Sequence, residues 1–462
     1  MPRNKRISAL HRGATMAAAL LIHGAAHATD VFELEGFGAT ARAMGGAATA
    51  QDTGPAGMLI NPAALSLAPD GNRMMVGVDL ITTDIAVTNL ATGEVAKSST
   101  HGANRGPYYA PEIGYTWHKG PLAIGLGVFA QGGLGTEYGN AGFLSRATGG
   151  LATGLQNSSR LLEIAAPLAV SYAITPRLVL GASIEGRWQS LNLDLLLGAD
   201  QVGSLIAAGR VDGTLLPVLG GLPALRGAQF SLTRNQIVGG GVRSLGVGER
   251  IGLIWHAAKG TTLGLSWAPR TQMADMKGGA TLTAIDAVAG QIPLTGTIAI
   301  RDFQMPHRVD FGVSHQVTPA LSVALDVSEL FWKQVMANIN VGFVADNGGT
   351  LNIQLPQGYH NQTIVALGAA YRIDPRWTLR AGVRIANEAL PASTLFAVIP
   401  ATPDKHLTFG VARRVGSGGE INFAYSHGFA PTLGNSSLPN TSAPIAVSHA
   451  QNNFVLDYRF GF

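Results

Sequence analysis

The sequence predicts an all-β fold, a transmembrane antiparallel β-barrel of about fourteen strands with an N-terminal plug inside its lumen. Apolar residues alternate with small or polar ones along much of the chain, which is the period of a strand with two different faces. Charged residues make up only 13% of the chain, whereas glycine accounts for 60 of its 462 residues. Short and long connections also alternate, as they do in barrels that cross an outer membrane.

The composition excludes several other classes of protein. Mean hydropathy is +0.21, yet no apolar run of about 18 residues follows residue 28, so a bundle of membrane-spanning helices is not expected. The chain has no cysteine, which excludes disulfides and thiolate chemistry. The net charge of +4 lies in the first 28 residues, since 32 Lys+Arg minus 4 leaves 28 against 28 Asp+Glu. A basic surface for nucleic acid is therefore not expected.

The first 28 residues have the pattern of a secretory signal. A basic stretch precedes an apolar one, and Ala26-His27-Ala28 matches an A-x-A cleavage site. We therefore expect a signal peptide at residues 1–28, a plug at residues 29–70 and the barrel at residues 71–462. Export of this kind, followed by a barrel, indicates the outer membrane of a Gram-negative bacterium.

The last strand shows the alternation on which the barrel prediction depends. Its large side chains share one face, and polar or smaller ones share the other. We expect the first face to contact lipid, and the C-terminal Phe462 resembles the recognition signal of the barrel assembly machinery. The first face carries Phe454, Leu456, Tyr458, Phe460 and Phe462, and the second carries Asn453, Val455, Asp457 and Arg459.

The connections predict which rim of the barrel faces the periplasm. Six are short, near residues 120, 175, 259, 318, 374 and 417. Seven are long, at roughly 88–111, 131–160, 195–245, 270–300, 337–361, 386–405 and 429–450. Short turns are periplasmic in such barrels, so we expect the long connections to face the cell exterior.

Aromatic residues near the predicted strand ends are typical of a membrane girdle. They are Trp117, Trp255, Trp267, Trp377, Tyr172, Tyr371 and Tyr458. The alternative is a β-sandwich with aromatic core positions, but a sandwich needs neither a signal peptide nor the difference between the two rims.

Residues 29–70 do not alternate and are rich in Gly and Ala, which suits compact folding in a narrow lumen. Within them, Asn61-Pro62-Ala63 predicts a short helix with Asn as its cap and Pro in the first helical position. On these three residues alone, a generic capped turn is the simpler interpretation.

This segment resembles the start of the FadL family of outer-membrane transporters for long-chain fatty acids, which includes the TodX-like channels for aromatic hydrocarbons. Phe32, Leu34 and Phe37 match the family's first motif, and Arg42-Ala43, Asp52 and Asn61-Pro62-Ala63 match later ones. The stretch "DPRWTLRAGV" is similar to a family strand and places Arg380 on the lumen side. The resemblance extends over the whole mature chain, with a short extra spacer around Gly57-Met58.

The resemblance implies uptake of a hydrophobic compound, a long-chain fatty acid first and an aromatic hydrocarbon as the alternative. It implies capture in an apolar loop groove, transfer to a lumen site near Phe32, and sideways release past a hatch formed by Asn61, Pro62 and Ala63. We expect the opening near the third strand, where the glycines of "AIGLGVFAQGG" permit a bulge.

The predicted long connections at 141–160 and 195–225 are unusually apolar for segments that face water. Packing of these loops on themselves is the simpler alternative to a ligand groove. The residues expected to form the groove are Phe143, Leu144, Leu196, Leu205, Leu216 and Leu219.

Arg187, Arg380 and Arg384 fall on inward faces and are candidates to neutralise a ligand carboxylate. Barrel interiors commonly hold charge ladders, so a structural role with partners such as Glu185 or Asp326 is the alternative for each.

Enzyme motifs are missing from the sequence. It has no H-E-x-x-H, no G-x-S-x-G and no dinucleotide-binding glycine loop, so no catalytic residue, metal or cofactor is expected. An outer-membrane lipid hydrolase and a structural or adhesin barrel are the alternatives of a different class. The expected partners are a hydrophobic small molecule, outer-membrane lipid and lipopolysaccharide, and the barrel assembly machinery, with the protein itself a monomer.

Overall fold

The computed structural model describes residues 31–99, 107–232, 241–416 and 418–462. The expected signal peptide and the first mature residues, 29 and 30, lie outside the described residues. The chain folds into a closed antiparallel β-barrel, which confirms the all-β barrel part of the predicted fold class.

Long strands dominate the structure. In chain order they are β1 (Gly71–Asn89), β2 (Val95–Ser99), β3 (Tyr108–Lys119), β4 (Leu122–Glu137), β5 (Arg146–Ala147), β6 (Leu151–Ala152), β7 (Ser158–Thr175), β8 (Leu178–Gly198), β9 (Val211–Asp212), β10 (Leu225–Ser231), β11 (Val242–Ala258), β12 (Thr261–Ala268), β13 (Gln272–Met273), β14 (Met276–Asp286), β15 (Gly290–Arg301), β16 (Arg308–Gln316), β17 (Leu321–Leu330), β18 (Asn338–Ala345), β19 (Thr350–Pro356), β20 (Gln362–Arg372), β21 (Trp377–Ala386), β22 (Lys405–Val415), β23 (Gly419–Gly428), β24 (Thr432–Asn435) and β25 (Ile445–Gly461).

The barrel wall is a ring of antiparallel pairs that returns to its starting strand. β1 pairs with β25 from Arg73 opposite Gly461 to Asn89 opposite Ile445, and this pairing closes the ring. Closure removes the exposed edges that an open sheet would present to lipid. The order around the ring is β1, β3, β4, β7, β8, β11, β12, β16, β17, β20, β21, β22, β23 and β25.

The two faces of each wall strand differ as the alternation predicts. On β25, Leu456 is 50% exposed, whereas its neighbours Val455 and Asp457 are each 1% exposed. An outward apolar face exposed over whole strands is unfavourable in water and favourable in hydrocarbon. The predicted girdle residues point outward as well, and most lie near the short turns. Those that are more than a third exposed are Trp255, Trp267, Trp377, Tyr172, Tyr371 and Tyr458.

The two rims differ in the length of their connections. Tight turns join β3 to β4, β7 to β8, β11 to β12, β16 to β17, β20 to β21 and β22 to β23, at the six predicted places. The long connections at the other rim are not irregular loops, because several contain strands of their own. Six of these strands pair one after another and extend the wall beyond the end of β8. Their order is β10, β14, β15, β18, β19 and β9.

Helices are few and short. The α-helices are α1 (Gly38–Ala43), α2 (Ala199–Ala207) and α3 (Leu216–Gly220), and short 3₁₀ helices lie at Pro55–Leu59, Pro62–Leu67, Phe143–Ser145, Trp332–Gln334 and Ala392–Thr394. Among the described residues, none of the helices combines the length and the apolar character needed to cross a membrane.

Residues 31–68, here called the N-terminal segment, contact inward-facing groups from many sides of the ring. The Arg42 guanidinium pairs with Glu35 and with Asp79 of β1. Asp326 of β17 accepts hydrogen bonds from the amides of Ala48 and Thr49 at 2.7 and 2.8 Å. Breaking a buried ion pair of this kind typically costs about 3–5 kcal/mol, so these contacts fix the segment firmly.

Inward-facing glycines make room for this segment. A Cβ at Gly252 would lie 1.9 Å from the Asn61 Oδ1, and one at Gly181 would lie 2.2 Å from the Ala63 nitrogen. The segment therefore packs directly on the backbone of the wall. The same close approach is made at Gly264, Gly312, Gly368, Gly382 and Gly410.

Candidate functional site

The wall has a gap between β3 and β4. The two strands pair from Lys119 opposite Leu122 to Glu112 opposite Phe129. Beyond that point residues 108–111 continue along β1, whereas residues 130–137 of β4 continue along β7. A register shift between Ala130 and Gly132 marks a bulge at the point of separation. Bulges bend a strand and end its pairing, which accounts for the opening. β4 is the third strand of the wall, where the sequence led us to expect the opening.

The N-terminal segment takes the place of β3 beside this part of β4. The Leu34 amide donates to the Gln131 carbonyl oxygen at 3.0 Å, and the Gly133 amide donates to the Phe32 carbonyl oxygen at 2.8 Å. Glu33 and Gly132 form an isolated bridge between these two bonds. A Cβ at Gly132 would lie 2.1 Å from the Phe32 carbonyl oxygen, so glycine is required there.

A cavity of about 160 Å³ lies at the gap, which we call the gap cavity. Its lining includes residues from both faces of the wall strands, as judged from the alternation of buried and more exposed residues along each strand. The lumen-facing lining includes Ile81, Thr83, Ile85, Leu161 and Glu163, and the lipid-facing lining includes Tyr109, Pro111, Leu162 and Ile164. The gap cavity therefore borders residues from both faces of the wall.

The gap cavity is predominantly apolar. Val31 and Leu34 of the N-terminal segment and Leu134 of β4 line it, together with Pro400 and Ala401 of the connection between β21 and β22. Thr83, Glu163, His449 and Gln451 add a few polar groups, and no Lys or Arg belongs to the described lining. A small number of polar groups in an apolar pocket is typical of a site for a small molecule.

The three N-terminal candidates have different surroundings. Leu34 lines the gap cavity, and Phe37 packs in an apolar cluster with Met58, Leu59 and Leu65. Phe32 does not line the cavity. Its ring is buried against Trp332, Phe303 and Tyr359, with ring centroids 5.6, 5.8 and 6.4 Å away. Contacts between aromatic rings at such distances are stabilising, so Phe32 anchors the segment.

The hatch candidates form the capped turn that the sequence predicts. The Ala63 amide donates to the Asn61 Oδ1 at 3.1 Å, and Pro62 opens the 3₁₀ helix Pro62–Leu67. The Asn61 amide group also donates to the carbonyl oxygens of Thr49 and Leu253 at 2.8 and 3.2 Å. Asn61 therefore joins two parts of the N-terminal segment to strand β11.

The candidate arginines are not equivalent. Arg187 donates through Nη2 to Glu185 at 2.6 Å, whereas its buried Nε and Nη1 have no hydrogen-bond partner among the described residues. The Arg384 Nη1 lies 3.5 Å from the Gly45 carbonyl oxygen of the N-terminal segment. Asp326, considered from the sequence as an arginine partner, instead binds Ala48 and Thr49.

Arg380 lies elsewhere. Its Nη1 donates to the Asn422 Oδ1 at 3.2 Å, and it lines an open cavity of about 730 Å³ at the short-turn rim, beside Gly71, Glu420 and Phe462. The structure therefore separates Arg380 from the gap cavity.

The six groove candidates divide into two groups. Phe143, Leu144 and Leu196 line a cavity of about 70 Å³ among the long connections, together with Phe396 and Ile445. Leu205 and Leu219 are buried in the main apolar core, and Leu216 packs against that core. Some of the apolar loop residues thus pack on each other, which is the alternative that the sequence left open.

Several residues of the site could not be identified from the sequence. Thr83 and Ile85 of β1 and Glu163 of β7 come from strands that do not pair with each other but meet at the gap. The alternation predicts that each faces inward, but nothing in the sequence shows which inward residues adjoin a break in the wall. The described residues include no group of His, Cys, Asp or Glu arranged to hold a metal ion.

A profile of the family described as "Outer membrane protein transport protein (OMPP1/FadL/TodX)" matches residues 18–444. The Pseudomonas putida toluene transporter TodX is 38% identical, with 93% of this chain and 99% of that chain covered and a TM-score of 0.83. The Ralstonia pickettii toluene transporter TbuX is 39% identical, with 93% and 99% covered and a TM-score of 0.80. A Pseudomonas aeruginosa FadL homologue shares the fold at 15% identity, with 93% and 99% covered and a TM-score of 0.71. No curated protein sequence matches the chain.

Proposed function

Because the chain belongs to the OMPP1/FadL/TodX family of outer-membrane transport proteins, we propose that it takes up small uncharged apolar compounds, with monoaromatic hydrocarbons as the ligand class. The gap cavity carries this proposal. Its volume of about 160 Å³ is close to that of cavities that bind benzene in protein interiors. The similarity to two toluene transporters supports the same ligand class.

The lining of the gap cavity favours an uncharged ligand. A carboxylate placed there would lose its hydration without gaining a cation, because the described lining contains no Lys or Arg. An apolar ring would gain about 25 cal/mol for each Å² that leaves water. The cavity therefore favours toluene over an ionised fatty acid.

In the proposed path, a ligand is captured among the long connections beside Phe143 and Leu196 and passes through the upper lumen to the gap cavity. It then leaves sideways into the membrane, since the cavity lining includes the lipid-facing residues Tyr109 and Ile164. Residues 29–70 act as the plug, which the close packing of the N-terminal segment on inward glycines supports. Sideways exit suits an apolar cargo because it avoids water.

A long-chain fatty acid is the second candidate. The observation in its favour is the pair of unpartnered nitrogens on Arg187, which would suit a carboxylate deeper in the lumen. In that case the carboxylate would lie at Arg187 and only the acyl chain would reach the gap.

Replacing Leu134 with Trp tests the proposal because it fills the gap cavity from strand β4. We expect the affinity for toluene, measured by calorimetry on the purified protein in detergent, to fall at least tenfold. We also expect toluene uptake by proteoliposomes to slow. Leu126→Trp is the matched control, since Leu126 lies on the same strand but faces lipid. Toluene binding that is equal in both variants would exclude the gap cavity as the ligand site.

A further inference from the structure

Glu163 is the one carboxyl group in the described lining of the gap cavity. It lies on β7, opposite Gly132 at the bulge of β4 on one side and opposite Gln189 of β8 on the other. The side chain is 5% exposed. An acidic residue is rarely buried so completely without a partner, so its surroundings need an explanation.

Glu163 has no hydrogen-bond partner among the described residues. Its Oε1 is buried without a hydrogen bond, and neither oxygen bonds to or pairs with any described residue. The two nearest polar side chains make their hydrogen bonds to other groups. Gln189 donates through Nε2 to the Ser244 Oγ at 3.0 Å and to the Phe303 carbonyl oxygen at 3.2 Å. Arg187 makes its ion pair with Glu185 through Nη2 and also attracts the Glu163 carboxylate, but its Nε and Nη1 form no hydrogen bond to Glu163.

A carboxyl oxygen without a hydrogen bond at the wall of an apolar cavity has a defined chemical complement. A carboxyl oxygen accepts a hydrogen bond whether the group is ionised or neutral. The missing group is therefore a donor, an O–H or N–H, and the rest of the cavity requires that donor to be carried on an apolar body of about one ring.

We propose that Glu163 makes the gap cavity selective for monoaromatic compounds that carry a hydroxyl or amino group, such as phenols and anilines, over the bare hydrocarbons. This inference rests on the proposed function, because it assumes that a monoaromatic ligand occupies the gap cavity. Glu163 then determines specificity, because the O–H or N–H group of the ligand donates a hydrogen bond to the Glu163 carboxyl oxygen that no described residue supplies. A site that pairs a polar ligand group discriminates against the analogue that lacks it.

Toluene and p-cresol form the matched ligand pair for the test, since they differ by one hydroxyl group. Dissociation constants are measured by calorimetry for the wild type, Glu163→Leu and Glu163→Gln in the full-length mature protein. We expect p-cresol to bind the wild type more tightly than toluene. Glu163→Leu weakens p-cresol binding about fivefold, the size expected for one hydrogen bond, and leaves toluene binding within about twofold. Glu163→Gln restores p-cresol binding because its amide oxygen is also an acceptor.

The wild type alone can overturn the inference, even if the Leu variant does not fold. Saturable toluene binding with p-cresol bound no more tightly than toluene would mean that Glu163 has no role in selection, while the proposed function would stand. Equal loss of both ligands in Glu163→Leu would mean that Glu163 only supports the wall. Absence of saturable toluene and p-cresol binding in the wild type would overturn the inference and the proposed function together.

Discussion

The Gly133 amide donates a hydrogen bond of 2.8 Å to the carbonyl oxygen of Phe32. This bond joins the wall strand β4 to the N-terminal segment at the height where β3 has separated from β4. An unpaired strand edge in a membrane leaves backbone groups unsatisfied at a cost of several kcal/mol each. The segment therefore completes the wall from inside, and the gap can widen only if these backbone bonds break or find other partners.

Gly132→Ala tests this relationship, because the new Cβ would lie 2.1 Å from the Phe32 carbonyl oxygen. The backbone cannot accommodate that contact, so we expect residues 32–34 to detach from β4. Amide hydrogen exchange at Leu34 and Gly133 should rise at least tenfold while the barrel stays folded in detergent. Gly186→Ala is the control, since a Cβ there has no neighbour closer than 3.9 Å. Unchanged exchange in Gly132→Ala would mean that these bonds do not hold the segment.

Asn61→Ala should loosen the hatch without unfolding the barrel. The change removes the cap of the helix Pro62–Leu67 and the bonds to Thr49 and Leu253, and loss of a cap alone costs about 0.5–2 kcal/mol. We expect slower toluene uptake by proteoliposomes and an unchanged melting transition of the barrel. Ser66→Ala in the same helix is the control, because it removes only one contact, to Ser171. Wild-type uptake in Asn61→Ala would remove the hatch from the mechanism.

The structure changes which arginine is expected to serve a carboxylate. The candidates from the sequence are Arg187, Arg380 and Arg384. Arg380 lines the cavity at the short-turn rim, whereas Arg187 has two buried nitrogens without a hydrogen-bond partner among the described residues. Arg187→Met should weaken fatty-acid binding about tenfold, the size of a lost hydrogen bond to a charged group, and leave toluene binding unchanged. Arg250 remains 3.8 Å from Glu185, so that carboxylate keeps a cationic neighbour.

Arg380→Met is the control for this measurement and should leave the affinities for the fatty acid and for toluene unchanged. Titration of a fluorescent fatty acid, with toluene as competitor, reports both affinities in one experiment. Weaker fatty-acid binding in Arg380→Met but not in Arg187→Met would place the ligand carboxylate at Arg380 instead.

The sequence predicts the wall well because the wall obeys a local rule. The two-residue period on β25 places Leu456 outside and Asp457 inside, and neither placement depends on distant contacts. The cap at Asn61 is local in the same sense.

The candidate site is less predictable because it depends on contacts far apart in the chain. Glu163 lines the cavity only because β3 and β4 separate, and Leu205 is in the core only because strands from distant connections pack over it. Alternation indicates which residues face inward, but not the depth of each residue or its neighbours. Arg380 and Arg187 therefore look alike in the sequence and lie in different environments in the structure.

Two apolar loop residues that look equivalent in the sequence should respond differently to replacement. Phe143 lines the small cavity among the long connections, whereas Leu205 is 1% exposed in the core. Phe143→Ser should raise the toluene concentration needed for half-maximal uptake several-fold and leave thermal stability unchanged. Leu205→Ala should cost about 2–5 kcal/mol of stability, the usual range for a leucine removed from a core. A stable Leu205→Ala variant with defective capture would place Leu205 in the groove instead.

Raising the pH from about 5 to about 8 should destabilise the connection that borders the gap cavity. Glu388 lies in this connection between β21 and β22, which also supplies Pro400 and Ala401 to the cavity. Burial, and then the nearby Asp404 carboxylate, raise the pKa of Glu388 to about 8. Because the folded connection holds this proton more tightly than a detached one, its stability falls as pH rises from about 4.5 to about 8 and levels off above that.

Glu388→Gln should remove this pH dependence, since the amide stays neutral throughout. We expect the ratio of wild-type to variant amide exchange in residues 387–404 to grow between pH 5 and pH 8, with toluene affinity falling in the wild type alone. Measuring both proteins at each pH cancels the intrinsic pH dependence of exchange. A constant ratio across this range would mean that Glu388 is already ionised in the folded connection, and its burial would then need a cationic partner that the described residues do not provide.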